Sequence, residues 1–130
     1  MRLLFALPLI LSLDQCSNDE TLSGYGAAGA TWNLIEIDGQ PFPAKVTIAF
    51  PEEGKIKGQG PCNSFFAAQL QPYPWFEATE IGATRRACVD LDHETAFLTA
   101  LSEMTLVEIN GNNLLLSTVD GREMVFRAAR

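Results

Sequence analysis

Gly58-Gln59-Gly60-Pro61-Cys62-Asn63-Ser64-Phe65-Phe66 is the stretch on which the fold depends. Its Gly- and Pro-rich half ends one predicted β-hairpin, and Cys62 stands at the bend before an apolar run begins. A second cysteine, Cys88, closes the phrase Thr84-Arg85-Arg86-Ala87-Cys88 further along the chain. We therefore expect strands and one helix to be arranged around these two points.

The composition is that of a single folded domain. The chain has 130 residues, of which 47% are hydrophobic and 19% are charged, so it can bury one core. Its net charge is −7, and its only adjacent cations are Arg85-Arg86. Nucleic acid is not expected as a partner, because binding to it needs clustered Lys and Arg.

The N-terminus has the pattern of an export signal. Met1-Arg2 precedes an apolar run from Leu3 to Leu13. This run has the length of a signal-peptide core and is shorter than the roughly 20 residues that a membrane-spanning helix needs. We predict a signal peptide over residues 1–16, the alternative being a buried first helix.

Cys16 directly follows this leader and resembles the acylated cysteine in the lipobox of bacterial lipoproteins. Leu13 fits that motif, whereas Asp14 and Gln15 replace the small uncharged residues usual there, so the lipobox is degenerate. We expect lipidation of Cys16 and attachment to the periplasmic face of a bacterial membrane. The alternative is an ordinary secretory leader and a protein that is soluble in the periplasm. Residues 17–30, rich in Gly, Ser and Ala, are predicted to form a flexible tether.

Residues 31–130 predict a mainly β (α+β) domain without repeats. Asn110-Gly111 and Asp120-Gly121 predict tight hairpin turns, and Leu91–Met104 has the apolar spacing of a single helix. The expected architecture is a small antiparallel, barrel-like sheet of seven or eight strands with one helix packed on it. The predicted strands, recognised by period two or by apolar runs, are Trp32–Ile37, Lys45–Phe50, Lys55–Gly58, Ser64–Leu70, Trp75–Ile81, Thr105–Ile109, Leu114–Thr118 and Glu123–Arg127.

Cys62 and Cys88 are the predicted disulfide pair, because an even pair within an exported domain normally oxidises and leaves Cys16 over. The alternative is two buried free thiols. Zinc is disfavoured, since neither cysteine has a second ligand at short spacing.

The other polar candidates do not combine into an active site. His93, the only histidine, lies in the helical pattern near Phe97 and is expected at the edge of the core. The acids Asp90, Asp92 and Glu94 suit a helix N-terminus better than a calcium loop. Ser64 lacks the Gly-x-Ser-x-Gly setting of a nucleophile. We predict no catalytic residue, no metal site and no cofactor.

Four aromatic residues are the remaining candidates for binding. Phe65, Phe66, Trp75 and Phe76 predict either plain core or the lining of a cavity for a small apolar ligand between sheet and helix. Arg85-Arg86 are expected to be solvated or paired with acids, the alternative being contact with an anionic partner.

The order of these motifs resembles the META domain, the HslJ-like heat-shock family. Pro61 and Ala67 depart from glycines that are common in that family. The matching pieces are Trp32-Asn33-Leu34, Asp38-Gly39, Gly58 to Asn63, Thr84 to Cys88, the helical set Glu94, Phe97 and Leu101, and a closing hairpin through Leu114-Leu115-Leu116 and Met124-Val125-Phe126.

The resemblance implies a barrel-like sheet with one helix, in a protein that is often exported or lipid-anchored and is associated with stress. It implies no catalytic residue. The resulting hypothesis is a non-enzymatic binding module of the cell envelope with an envelope protein as its partner. A carrier of small apolar ligands is the alternative.

Overall fold

The computed structural model describes residues 19–129. The leader, the lipidation candidate Cys16 and residues 17–18 lie outside the described residues. The elements are a short 3₁₀ helix (Leu22–Tyr25), the helix α1 (Leu91–Glu103) and the strands β1 (Thr31–Ile37), β2 (Gln40–Pro41), β3 (Thr47–Ala49), β4 (Lys55–Gln59), β5 (Ser64–Ala68), β6 (Thr79–Ala83), β7 (Leu106–Asn110), β8 (Asn113–Ser117) and β9 (Glu123–Ala129).

All nine strands belong to one antiparallel sheet. Eight of them follow the order β6-β5-β4-β3-β1-β9-β8-β7, and the two-residue β2 pairs only with β1. The sheet curls without closing into a continuous barrel. The predicted fold class, an antiparallel sheet with a single helix, is confirmed, and β2 brings the strand number to nine.

Strand alternation places one face of the sheet in the core. Trp32, Ile48, Leu114 and Phe126 are at most 1% exposed, while their neighbours along each strand are more accessible. From the helix, the side chain of Phe97 is fully buried and packs edge-on against Phe65 with ring centroids 5.2 Å apart. Burying such a side chain stabilises the fold by about 1.5–3 kcal/mol, so the helix is held mainly by its apolar face.

The segment Trp75–Ile81 differs from the strand predicted there. Only its second half enters the sheet, as β6, because Pro72 and Pro74 interrupt the extended backbone. Its first half crosses to the far edge of the sheet. There the Val107 N–H donates to the Pro74 carbonyl (2.8 Å), and the Phe76 N–H donates to the Thr105 carbonyl (2.9 Å).

Residues 21–30 do not form the tether that their composition predicted. Leu22 is 1% exposed and Ala27 is fully buried. The Trp32 indole N–H donates to the Ala27 carbonyl (3.2 Å), and the rings of Tyr25 and Tyr73 stack with centroids 4.8 Å apart. Small residues are typical of linkers, but in this segment they allow the backbone to pack closely against the core.

Candidate functional site

The bend between β4 and β5 is built around a buried carboxylate. The Gly60 N–H donates to the Asn63 carbonyl (2.8 Å), which closes the turn Gly60-Pro61-Cys62-Asn63. Glu94, in the first turn of α1, is only 4% exposed. Its Oε1 accepts from the backbone N–H groups of Cys62 (3.0 Å) and Asn63 (2.7 Å), and its Oε2 accepts from Asn63 Nδ2 (2.6 Å).

Asn63 joins this bend to the segment that follows β6. Its Oδ1 accepts from Thr84 Oγ1 (3.0 Å) and from the Arg86 N–H (2.6 Å), while its Nδ2 also donates to the Arg86 carbonyl (3.0 Å). Asn63 itself is 3% exposed. We call the hydrogen-bonded set Cys62, Asn63, Thr84, Arg86 and Glu94 the Glu94 network. It connects three parts of the chain that are distant in sequence.

A disulfide between Cys62 and Cys88 closes the same junction covalently. The two Cα atoms lie 5.7 Å apart and the residues are separated by 26 positions. Cys62 is buried, whereas Cys88 lies on the exposed segment before α1. A loop of this length stabilises the fold by roughly 3–4 kcal/mol on the chain-entropy account, so the predicted disulfide fastens the segment that Asn63 also holds.

Gly60 leaves room for the Glu94 carboxylate. A Cβ atom at this position would lie 2.5 Å from Glu94 Oε1, closer than any real carbon–oxygen contact. Glycine at position 60 is therefore required by the buried acid, which explains part of the Gly58-Gln59-Gly60-Pro61 pattern.

The chemistry available to Glu94 is structural. Three N–H groups already occupy its two oxygens, and a carboxylate buried this deeply cannot reach a dissolved substrate. Within residues 19–129, no buried side-chain nitrogen or oxygen lacks a hydrogen-bond partner, and no three His, Cys, Asp or Glu side chains are arranged to hold a metal ion. His93 is half-buried, with its ring 6.0 Å from that of Phe42.

A cluster of surface charges with shifted pKa values lies at another corner, where Asp38 meets the β8–β9 turn. The Glu123 N–H donates to Asp38 Oδ1 (3.0 Å) and Arg122 Nη2 donates to Asp38 Oδ2 (3.0 Å). These two bonds, the backbone bond first, lower the pKa of Asp38. Asp38 and Glu103, both bonded to Arg122, raise the pKa of Arg122. This corner is solvated and joins the end of α1 to two turns.

The four aromatic candidates are divided between interior and surface. Phe65 and Phe76 are 3% and 2% exposed, whereas Phe66 and Trp75 are 60% and 54% exposed. Phe65 and Phe66 border one surface groove, which neither Trp75 nor Phe76 lines. The structure therefore does not gather the four side chains into a common cavity for an apolar ligand.

The exposed Arg85 and Arg86 side chains form no ion pair among the described residues. Arg86 instead contacts the domain through its backbone N–H and carbonyl, which are both hydrogen-bonded to Asn63. Sequence reasoning missed Glu94 as a site residue. The spacing of Glu94, Phe97 and Leu101 places all three on one face of the helix, and that face is otherwise apolar. An acid on an apolar helix face was the sequence signal that Glu94 is buried.

Fold and site together define a disulfide-stapled antiparallel β domain with one packed helix and a buried Asn–Glu junction. The family model of the META domain matches residues 26–130, and the chain belongs to the META domain family. The match begins before β1, which agrees with the packing of Ala27 and Ala30 into the core.

Solved structures share this fold at low sequence identity. The NMR structure of a protein from Burkholderia xenovorans has a TM-score of 0.65 and 19% identity, and the alignment covers 82% of this chain and 86% of that one. The crystal structure of a DUF4847 family protein from Bacteroides vulgatus has a TM-score of 0.61 and 15% identity, with 79% and 94% covered. These similarities concern the fold alone. No curated protein matches the sequence.

Proposed function

We propose that this META-domain chain is a non-enzymatic binding module of the bacterial cell envelope, exported and anchored through a lipid on Cys16. In this role it holds a folded recognition domain at the periplasmic face of a membrane, where it contributes to stress tolerance through an envelope partner. Residues 19–129 contain no helix long and apolar enough to cross a bilayer.

The observation that carries this proposal is the Cys62–Cys88 disulfide. Structural disulfides persist in oxidising compartments such as the periplasm and are rare in the reducing cytosol. The apolar leader with its terminal cysteine supports the same location from an independent part of the chain. Both features favour export.

The Glu94 network gives Glu94 a structural role rather than a catalytic one. Its polar groups form hydrogen bonds with one another, and these bonds connect the bend, the segment around Arg86 and α1. A general acid or base must reach the proton that it transfers. Glu94 is enclosed, so its carboxylate is not placed for that work, and the ring of the half-buried His93 lies 6.0 Å from that of Phe42.

Intact mass of the protein purified from its native host, with and without reduction and alkylation, tests the proposal. We expect a chain that begins at Cys16 and carries acyl groups, with Cys62 and Cys88 alkylated only after reduction. Cys16→Ser is the matched control, and it should leave the disulfide intact while removing the acyl mass. A full-length unmodified chain with freely alkylated cysteines would overturn both the export and the anchor.

A further inference from the structure

The outer face of β3, β4 and β5 carries a continuous groove. Three adjoining depressions of about 450, 460 and 600 Å³ share residues along it. Thr47 and Gln59 border both the first and the second, and Lys57 and Phe66 border both the second and the third. We call this surface the β3–β5 groove. It lies on the face of the sheet opposite the core, where strand residues alternate outward.

The lysines of this acidic protein are gathered in the β3–β5 groove, and its middle depression is lined by Lys57 and by no acid. The chain has three lysines, Lys45, Lys55 and Lys57, and all of them line this groove although the net charge is −7. Lys55 pairs with Glu52 (3.0 Å), whereas Lys45 and Lys57 form no ion pair among residues 19–129. Acids stand only at the two ends, with Asp90 at one and Glu52 and Glu80 at the other. The middle is therefore free to attract negative charge.

Phe66 provides a fixed apolar platform in the same groove. It pairs across the sheet with Lys57 on one side and with Gly82 on the other. A Cβ atom on Gly82 would lie 2.4 Å from Phe66 Cζ, so the ring rests against the glycine backbone. The side chain is nevertheless 60% exposed. One side of the ring is supported by Gly82 and the rest is open to a ligand.

Neutral hydrogen-bonding side chains complete the middle of the groove. Thr47, Gln59 and Ser64 occupy paired positions on β3, β4 and β5. Their hydroxyl and amide groups can both donate and accept. Cations, an open aromatic ring and a row of hydroxyl and amide groups are together the complement of a sugar polymer that carries acidic groups.

We infer that the β3–β5 groove binds an extended acidic glycan. The Phe66 ring stacks on the C–H face of a sugar, Lys45 and Lys57 bind its carboxylates, and the side chains between them bind its hydroxyls. An acidic peptide is disfavoured because β4 is paired on both sides, which leaves no free strand edge to extend with a peptide backbone.

Calorimetric titration of the purified full-length chain with oligogalacturonate tests this inference. We expect binding that weakens as salt rises, and no binding of a neutral glucose oligomer of equal length. Lys57→Glu and Phe66→Ala should each weaken binding by about tenfold. Both residues are exposed, so circular dichroism and urea unfolding should match the wild-type protein.

The controls separate this groove from charge in general. Arg85→Glu makes the same charge change outside the groove, and Val119→Ala shortens a more exposed apolar side chain in the β8–β9 turn. Both variants should bind oligogalacturonate like the wild-type protein. Equal binding of polyglutamate, preference for anionic phospholipid vesicles, or unchanged binding by Lys57→Glu and Phe66→Ala would each overturn the inference.

This inference deepens the proposed binding role and rests on it for its biological setting. The titration is independent of export, because it uses purified protein. Loss of the acyl mass would therefore refute the anchor and leave glycan binding intact. Failure to bind oligogalacturonate would refute the ligand class and leave the anchor standing.

Discussion

Both carboxylate oxygens of Glu94 accept hydrogen bonds from Asn63. Oε1 accepts the Asn63 backbone N–H at 2.7 Å, and Oε2 accepts the Asn63 side-chain amide at 2.6 Å, across 31 positions of sequence. The helix is thereby bonded to the last residue of the bend that precedes β5. The pairing also orients the amide, so that Asn63 Oδ1 is left to hold Thr84 and Arg86.

Glu94→Gln is expected to destabilise the domain by about 2–3 kcal/mol. Hydrogen bonds to a buried charged group are stronger than those to a neutral one, and the variant loses the charge. In addition, the amide NH₂ of Gln replaces one carboxylate oxygen and would face the N–H groups of Cys62 or Asn63, which are donors themselves. Urea unfolding measures the loss. Asp92→Asn is the matched control, since it removes an exposed charge from the same helical turn and should cost less than about 0.5 kcal/mol. Equal effects of the two substitutions would mean that the Glu94 network contributes little.

Gly60→Ala is expected to be destabilising through Glu94. Its Cβ atom would displace Oε1 from the two backbone N–H groups that it accepts, at a cost of about 1–3 kcal/mol. Gly29→Ala, where a Cβ meets nothing within 4 Å, should be neutral or slightly stabilising.

A double-mutant cycle isolates the mechanism at this position. Combined with Glu94→Gln, the Gly60→Ala substitution should cost less than the sum of the two single changes, because both disturb the same hydrogen bonds. Strict additivity would show that the alanine acts on the turn itself.

Replacing both Cys62 and Cys88 with alanine is expected to lower the free energy of unfolding by roughly 3–4 kcal/mol, mainly because the unfolded chain regains conformational freedom. A reducing agent should lower the melting temperature of the wild-type protein and leave that of the double variant unchanged. If the double variant melted like the oxidised protein, the disulfide would contribute nothing beyond the Asn63 contacts.

The Asp38 corner predicts a stability contribution that disappears in acid. The folded-state pKa of Asp38 lies below its ordinary value of 3.8, owing to the Glu123 N–H and Arg122. The contribution is therefore complete above that value and is lost as the pH falls through the lower folded-state pKa.

Urea unfolding between neutral and acidic pH, repeated with Asp38→Asn, measures this contribution. The variant should lose less stability on acidification than the wild-type protein, and high salt should reduce the difference because the site is solvated. Asn suits the position, since residue 38 has φ of 51°, a conformation that Asn adopts readily. Parallel acid profiles would contradict the assignment.

Local patterns in the sequence predicted much of the sheet. The alternation through Val46, Ile48 and Phe50 and the Asn-Gly and Asp-Gly turns are each contained within a few residues, and the strands they predict are present. The helix, too, follows its predicted apolar spacing and ends at Glu103.

Long-range contacts explain what the patterns missed. Leu22 is isolated among small polar residues, and nothing local indicates that it enters a core formed by later strands. The sequence around Glu94 predicts an acid at a helix N-terminus. Its contacts with Cys62 and Asn63 are visible only in the folded structure, because those residues are more than 30 positions away. Trp75 looks like a strand residue, but it pairs with Leu106 at the far edge of the sheet.

That crossing of the Pro74–Phe76 segment has a consequence for solubility. A bare edge strand is a template on which other chains polymerise. Here Pro74, which lacks an N–H, offers β7 only its carbonyl, and the short bridge at Trp75 ends the pairing. The domain thus covers part of the β7 edge with its own backbone, where another chain could otherwise pair.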